Sequence, residues 1–175
     1  DLLTQQEERD IRMEPGTVAL AITGIKPENI EEISDVLRAS AVKGTLFLET
    51  QHLGINGITQ KQVLTLLANG HDLQSAGHTG DDLRSLTNAQ VELELKQSRK
   101  ILEEYTGRGV FAVSYPMGGV NARVMKLAEE SGYLVGVGSG QERSFNREQL
   151  LRIPAFAISP SASAEEVLEL VKNEE

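Results

Sequence analysis

Three residues with metal-ligating side chains lie close together in this chain: His78, Asp81 and Asp82. An imidazole and a carboxylate four residues apart, with a second carboxylate beside them, can converge on a zinc-like divalent cation. Such an ion polarises a carbonyl and lowers the pKa of a bound water. The competing reading is an exposed polar loop. His71, in a Gly-His-Asp run, reads as a hydrogen-bonded strand histidine, and His52, in a glycine-rich loop, as a solvated one. Nucleophilic catalysis finds no set. Ser75, Ser114 and Ser139 lack an evident His–Asp partnership, no G-x-S-x-G turn exists, and there is no cysteine. Gly136–Gly140 is glycine-rich after an apolar run, but it lacks the lysine of a phosphate-binding loop.

The elements that must position these groups follow from periodicity. Short apolar runs alternate with helical patterns, the signature of βαβ units around a parallel sheet. Strands are predicted at 17–23 (TVALAIT), 44–49 (GTLFLE), 71–75 (HDLQS), 110–114 (VFAVS), 133–137 and 153–158. Between them, Pro27 reads as a first helical position, Thr59/Gln62 and Thr87/Gln90 as capping boxes, and Asn121 as a helix cap. Gly70 and Gly132 close helices, and Ser163 with Glu166 opens the last one. In α/β folds the working groups sit at the carboxyl ends of the strands. Residues 1–16 are polar and charged and read as a peripheral segment ahead of a domain spanning 17–175.

Composition excludes whole classes of function. The 17 basic residues are scattered through a chain of net charge -9, so no basic stripe for nucleic acid exists. No apolar run reaches the ~18 residues of a membrane span. The absence of cysteine removes disulfides and thiolate zinc sites. The sequence begins at Asp1 without a methionine, as expected of a processed or excised piece. With no tryptophan and few aromatics, a deep lectin groove is disfavoured; Tyr115, Tyr133, Phe111 and Phe145 are the rings available for stacking on a sugar.

Five segments in order resemble the polysaccharide deacetylases, the enzymes of chitin, peptidoglycan and poly-N-acetylglucosamine that share the NodB-homology domain. They are TVALAIT, KGTLFLET, NGHDLQSAGHTGDDLRSLT, VFAVSYPMGGVNARVMKLAEESGY and LLRIPAF. The third is similar to the family's GHEIGxHTxxHPDLxxLS. The resemblance runs from about Thr17 to the end of the chain. It implies an α/β fold, a distorted partial (β/α) barrel, and an extracellular, periplasmic or envelope location.

The family's chemistry uses an Asp and two His to hold a zinc-like ion, and a second Asp as general base. The adjacent Asp pair falls here on Thr23 and Gly24, and the two His fall, without a gap, on Ala76 and Gly80. The resemblance therefore implies a degenerate member with no catalytic residues and no metal. Tyr115, Pro116, Met117 and Gly118 match its substrate-side loop and, with His78, are the candidate binding residues; a tight turn needing Pro and Gly explains the same loop without a ligand. The expected role is a non-catalytic glycan-binding or interaction module, with an N-acetylated polysaccharide or an envelope protein as partner. The alternatives are a zinc-dependent deacetylase rearranged around His78, Asp81 and Asp82, and a purely structural domain.

Overall fold

The structure is a computed structural model whose described residues are 20–139, 147–155 and 163–172. The chain runs β1 (Ala21–Ile22), α1 (Ile30–Ser40), β2 (Thr45–Leu48), α2 (Gln60–Ala68), β3 (Asp72–Ser75), α3 (Asn88–Thr106), β4 (Ala112–Ser114), α4 (Ala122–Glu130), β5 (Val135–Ser139), β6 (Ile153–Ala155) and α5 (Ala164–Lys172). All six strands are parallel and lie in the sheet in chain order. Strands added one after another on the same edge, β2 to β5 each after an α-helical crossover, curl a sheet toward a barrel. Among the described residues β1 and β6 do not pair with each other, so the barrel is partial.

Side-chain alternation divides the two faces of the sheet. Leu46 and Leu48 point outward into the main core, where they meet Val63 and Leu66 of α2 and Val91, Leu95 and Leu102 of α3. Phe47 points the other way and packs with Ala76 and Ala112 in a small cluster inside the barrel. Full burial of each large aliphatic side chain contributes roughly 1.5–3 kcal/mol, so the helix-covered face dominates the hydrophobic stabilisation.

The β3–β4 joint is short, meeting only at Ser75 and Val113. The buried side chain of Gln74 extends it. Its Oε1 accepts the N–H groups of Phe111 (2.9 Å) and Ala112 (2.8 Å), and its Nε2 donates to Asp72 Oδ2 (3.0 Å). A side-chain amide thus supplies the ladder bonds that the strand backbone does not reach.

Both capping boxes form as the spacing predicts, at Thr59/Gln62 and Thr87/Gln90. Asn121 caps α4 through Val124 N–H, and Ser163 and Glu166 bond each other's backbone at the start of α5. The strands are shorter than expected, β4 starting at Ala112 and β1 spanning Ala21–Ile22, and two boundaries have a clear local cause. Pro27 lies in a turn ahead of α1 rather than at its first position. Asn29 accepts from Lys26 N–H and donates to Gly24 O, which delays the helix to Ile30. Tyr133 is not strand: its N–H closes α4 on Ala128 O, and its buried hydroxyl donates to Leu95 O, so β5 starts at Val135. Residues 17–19 of the first expected strand and 156–158 of the last lie outside the described residues, as do positions 1–16.

Candidate functional site

The mouth of the barrel is formed by the loops that follow β1, β2, β3 and β4. Glu49 continues β2 in an extended conformation (φ -77°, ψ 121°), so it shares the inward side of Phe47. Its carboxylate takes a hydrogen bond from Gln51 Nε2 (3.0 Å) and lies 3.2 Å from His52 Nε2. The same carboxylate leans over Gly80. A Cβ at Gly80 would stand 2.7–2.8 Å from its atoms, and Gly80 has φ +80°. A side chain at position 80 would strain a left-handed backbone that favours glycine, and the Glu49 carboxylate, the far end of a flexible side chain, would have to move aside.

The loop after β3 is bound to its surroundings along its length. Gly77 N–H donates to Ser75 Oγ, while Thr50 N–H and Gln51 N–H donate to the carbonyls of Gly77 and His78. Its strongest anchor comes from α3. The buried carboxylate of Glu94 accepts from His78 N–H (2.8 Å), Thr79 N–H (2.9 Å) and Thr79 Oγ1 (2.9 Å). Charge-assisted bonds of this kind are stronger than neutral ones, and here they satisfy an anion that burial alone would penalise.

The residues singled out by spacing are not drawn together. His78 Nδ1 pairs with Thr50 Oγ1 at 2.8 Å. Asp81 is exposed and receives Thr79 Oγ1. Asp82 accepts from the Arg84 side chain and backbone, which hold its carboxyl below the usual carboxylate range. Among the described residues no three His, Cys, Asp or Glu side chains gather as a metal-binding group. Thr23 is half-buried, and Gly24 is exposed with φ +69°. Ala76 is buried against Phe47 and Ala112. A hydroxyl, a methyl and two glycines provide no charge or imidazole to hold a dication against its hydration, so these four positions do not fit the ion the family uses.

The loop after β4 places Met117 outward, 82% exposed and in a left-handed conformation (φ 56°). Pro116 beside it is buried. Gly118, at φ +67°, lies so close to Ser139 that a Cβ would come within 2.6 Å of that side chain. The N–H groups of Tyr115, Gly118 and Gly119 are engaged by Val137 O, Tyr115 O and Pro116 O. The Tyr115 ring is 2% exposed, its hydroxyl donates to Leu151 O, and burial pushes the phenol pKa up. As a sugar-stacking ring Tyr115 is ruled out by this packing, and so is Tyr133 at 1% exposure. Phe111 is exposed but precedes β4, at the opposite end of the strands from the mouth; Phe145 lies outside the described residues.

Two histidine expectations need correction. His52 is not a solvated loop residue; it sits in a 3₁₀ turn, pairs with Glu49, and its side chain is 23% exposed. His71 is buried just ahead of β3 rather than in it, and its Nδ1 has no hydrogen-bond partner among the described residues. Burial first, and then nearby Lys43, push its pKa down, so the neutral ring is favoured. Glu49 and Glu94 were missed as site residues. Both carried a signal: Glu49 falls two residues after Phe47 on the inward side, and Glu94 falls on the Val91–Leu95–Ser98–Leu102 stripe that faces the core.

With six parallel strands in order and the working loops at their carboxyl ends, the fold defines a class, the partial (β/α) barrels. The sequence profile described as "Polysaccharide deacetylase" matches residues 10–136, and the chain belongs to that family. It is 26% identical over 139 residues to YxkH of Bacillus subtilis (strain 168), whose name assigns it to the polysaccharide deacetylases. That alignment covers 78% of this chain and 49% of YxkH, so the chain spans about half the length of this curated relative. Among solved structures it is similar to the Streptococcus pyogenes deacetylase PplD in complex with acetate, with a TM-score of 0.79 and 19% identity over 95% of this chain and 75% of that one. It also matches BA3943 from Bacillus anthracis, a CE4 family pseudoenzyme, with a TM-score of 0.65 and 14% identity over 92% and 62% of the two chains. These likenesses establish the fold.

Proposed function

We propose that this polysaccharide deacetylase-like domain is non-catalytic and that its barrel mouth serves as a binding surface for a hexosamine-based glycan. One observation carries the reading: at the position matching the family's second ligating histidine stands Gly80, and the space beside it is filled by Glu49. Thr23, Gly24 and Ala76 at the other matching positions support it. So do the separate partners of His78, Asp81 and Asp82, which leave a rearranged metal site without assembled ligands. A domain that keeps its loops cross-linked while lacking metal ligands and a base retains a shaped surface but not the means to activate water. The existence of a structurally similar pseudoenzyme makes this a known outcome for the fold.

The test measures two quantities on one preparation with added zinc. Acetate released from N-acetylglucosamine oligomers should stay at background, and calorimetric titration with glucosamine-based oligomers should show saturable binding. Chelator-sensitive acetate release would replace this reading with the deacetylase one. Neither turnover nor binding would leave a structural role.

A further inference from the structure

Glu49 places a carboxylate at the mouth, over the loop after β3. Its Oε2 is held by Gln51 and His52, while among the described residues no protein donor is within hydrogen-bond range of Oε1. The side chain is 27% exposed, reachable from solvent yet largely shielded by its neighbours. The nearest guanidinium on the loop after β3, that of Arg84, is committed to Asp82 through both carboxylate oxygens. Its charge is thus not available to Glu49, and the chain as a whole carries -9.

The carboxylate is also fixed in place. Gln51 Nε2 ties it to Thr79 O, and the Thr79 segment is pinned in turn by Glu94. A group held this way loses little freedom when a ligand arrives. His52 Nδ1 and His78 Nε2 likewise lack protein partners among the described residues and are open to hydroxyl groups.

We infer that this mouth selects an amino sugar with a free, protonated nitrogen over its N-acetylated form, and that Glu49 Oε1 is the recognising atom. The inference rests on the glycan-binding reading above and specifies its ligand. An acetamide presents its carbonyl oxygen, an acceptor that a carboxylate repels, and a single N–H. An ammonium presents three N–H donors and a positive charge, so it forms a charge-assisted pair with Oε1. No bond is made or broken; selection is by charge and donor count.

The experiment is calorimetric titration of the full chain with a glucosamine oligomer and an N-acetylglucosamine oligomer of equal length, in a buffer that keeps the amine protonated. The expected result is binding about tenfold tighter for the amino oligomer, the scale of one hydrogen bond to a charged group. Added salt should weaken that preference. Glu49→Gln, which keeps size and acceptor oxygen, should reduce the amino oligomer to the affinity of the N-acetylated one. Glu104→Gln, on an exposed stretch of α3, should change nothing. Thermal melts of both variants confirm that they fold.

Equal or tighter binding of the N-acetylated oligomer, or an unaltered preference in Glu49→Gln, would overturn the selectivity and leave the glycan reading standing. A trilysine peptide binding as tightly as the amino oligomer would overturn its sugar component. Binding of neither oligomer would remove the glycan reading itself.

Discussion

The loop after β3 and the loop after β4 leave the sheet as neighbours, with Pro116 reaching toward Gly77, but they are secured differently. The first is held by side chains from elsewhere in the sequence: Glu94 from α3, Gln51 from the turn after β2, Thr50 against His78. The second is held mainly by main-chain bonds, Gly118 N–H to Tyr115 O and Gly119 N–H to Pro116 O within it and Tyr115 N–H to Val137 O of β5, and it presents Met117 to solvent. A turn held by main-chain bonds survives side-chain changes around it. A loop held by remote carboxylates depends on them, so the β3 loop is where substitution should tell most.

The largest effect is expected from Glu94→Ala. It removes the acceptor of two backbone N–H groups and one hydroxyl in a mostly buried place, and should cost about 3 kcal/mol in denaturant-induced unfolding. Met117→Ala in the loop after β4 should stay within about 0.5 kcal/mol, the usual range for a surface change. Equal costs at the two sites would erase the contrast.

A smaller effect belongs to Gly80→Ala, which forces a Cβ into a left-handed position against Glu49; about 1–2 kcal/mol is expected. In a double-mutant cycle, Glu49→Ala should recover part of that loss, leaving the backbone share. Strict additivity would mean that Glu49 yields freely and does not close the position.

The smallest is a pH effect at the opposite end of the strands from the mouth, where His71 precedes β3. The pKa of His71 is lowered in the folded protein, while the unfolded chain keeps the ordinary histidine value near 6.5. The unfolded state therefore binds the proton more readily. Stability is unaffected above the ordinary range and declines as pH falls through it toward the folded value. Urea midpoints from about pH 7.5 to about pH 5.5 should drop more in the wild type than in His71→Gln, since titration of the carboxylates is common to both. Parallel curves would remove His71 as the source.

What the sequence made legible was local. Capping boxes at Thr59/Gln62 and Thr87/Gln90 and the cap at Asn121 need only a few adjacent residues, and they form as spaced. The parallel sheet followed from the alternation of apolar runs and helices, and the partial barrel from the family resemblance. The site was less legible because its contacts are long-range. Glu94 meets Thr79 across 15 positions, Gln74 meets Phe111 across 37, and Thr50 meets His78 across 28. Tyr115 carried the right type for a sugar platform, yet packing buried it, which no spacing in the sequence announces.

If the mouth is non-catalytic as proposed, it holds no divalent cation. A thermal melt with zinc, repeated with chelator, measures this most directly. The two curves should coincide. An ion bound at 100 times its Kd would stabilise the fold by about 2.7 kcal/mol, and a zinc-dependent rise in Tm of several degrees, abolished by chelator and by His78→Ala, would contradict it.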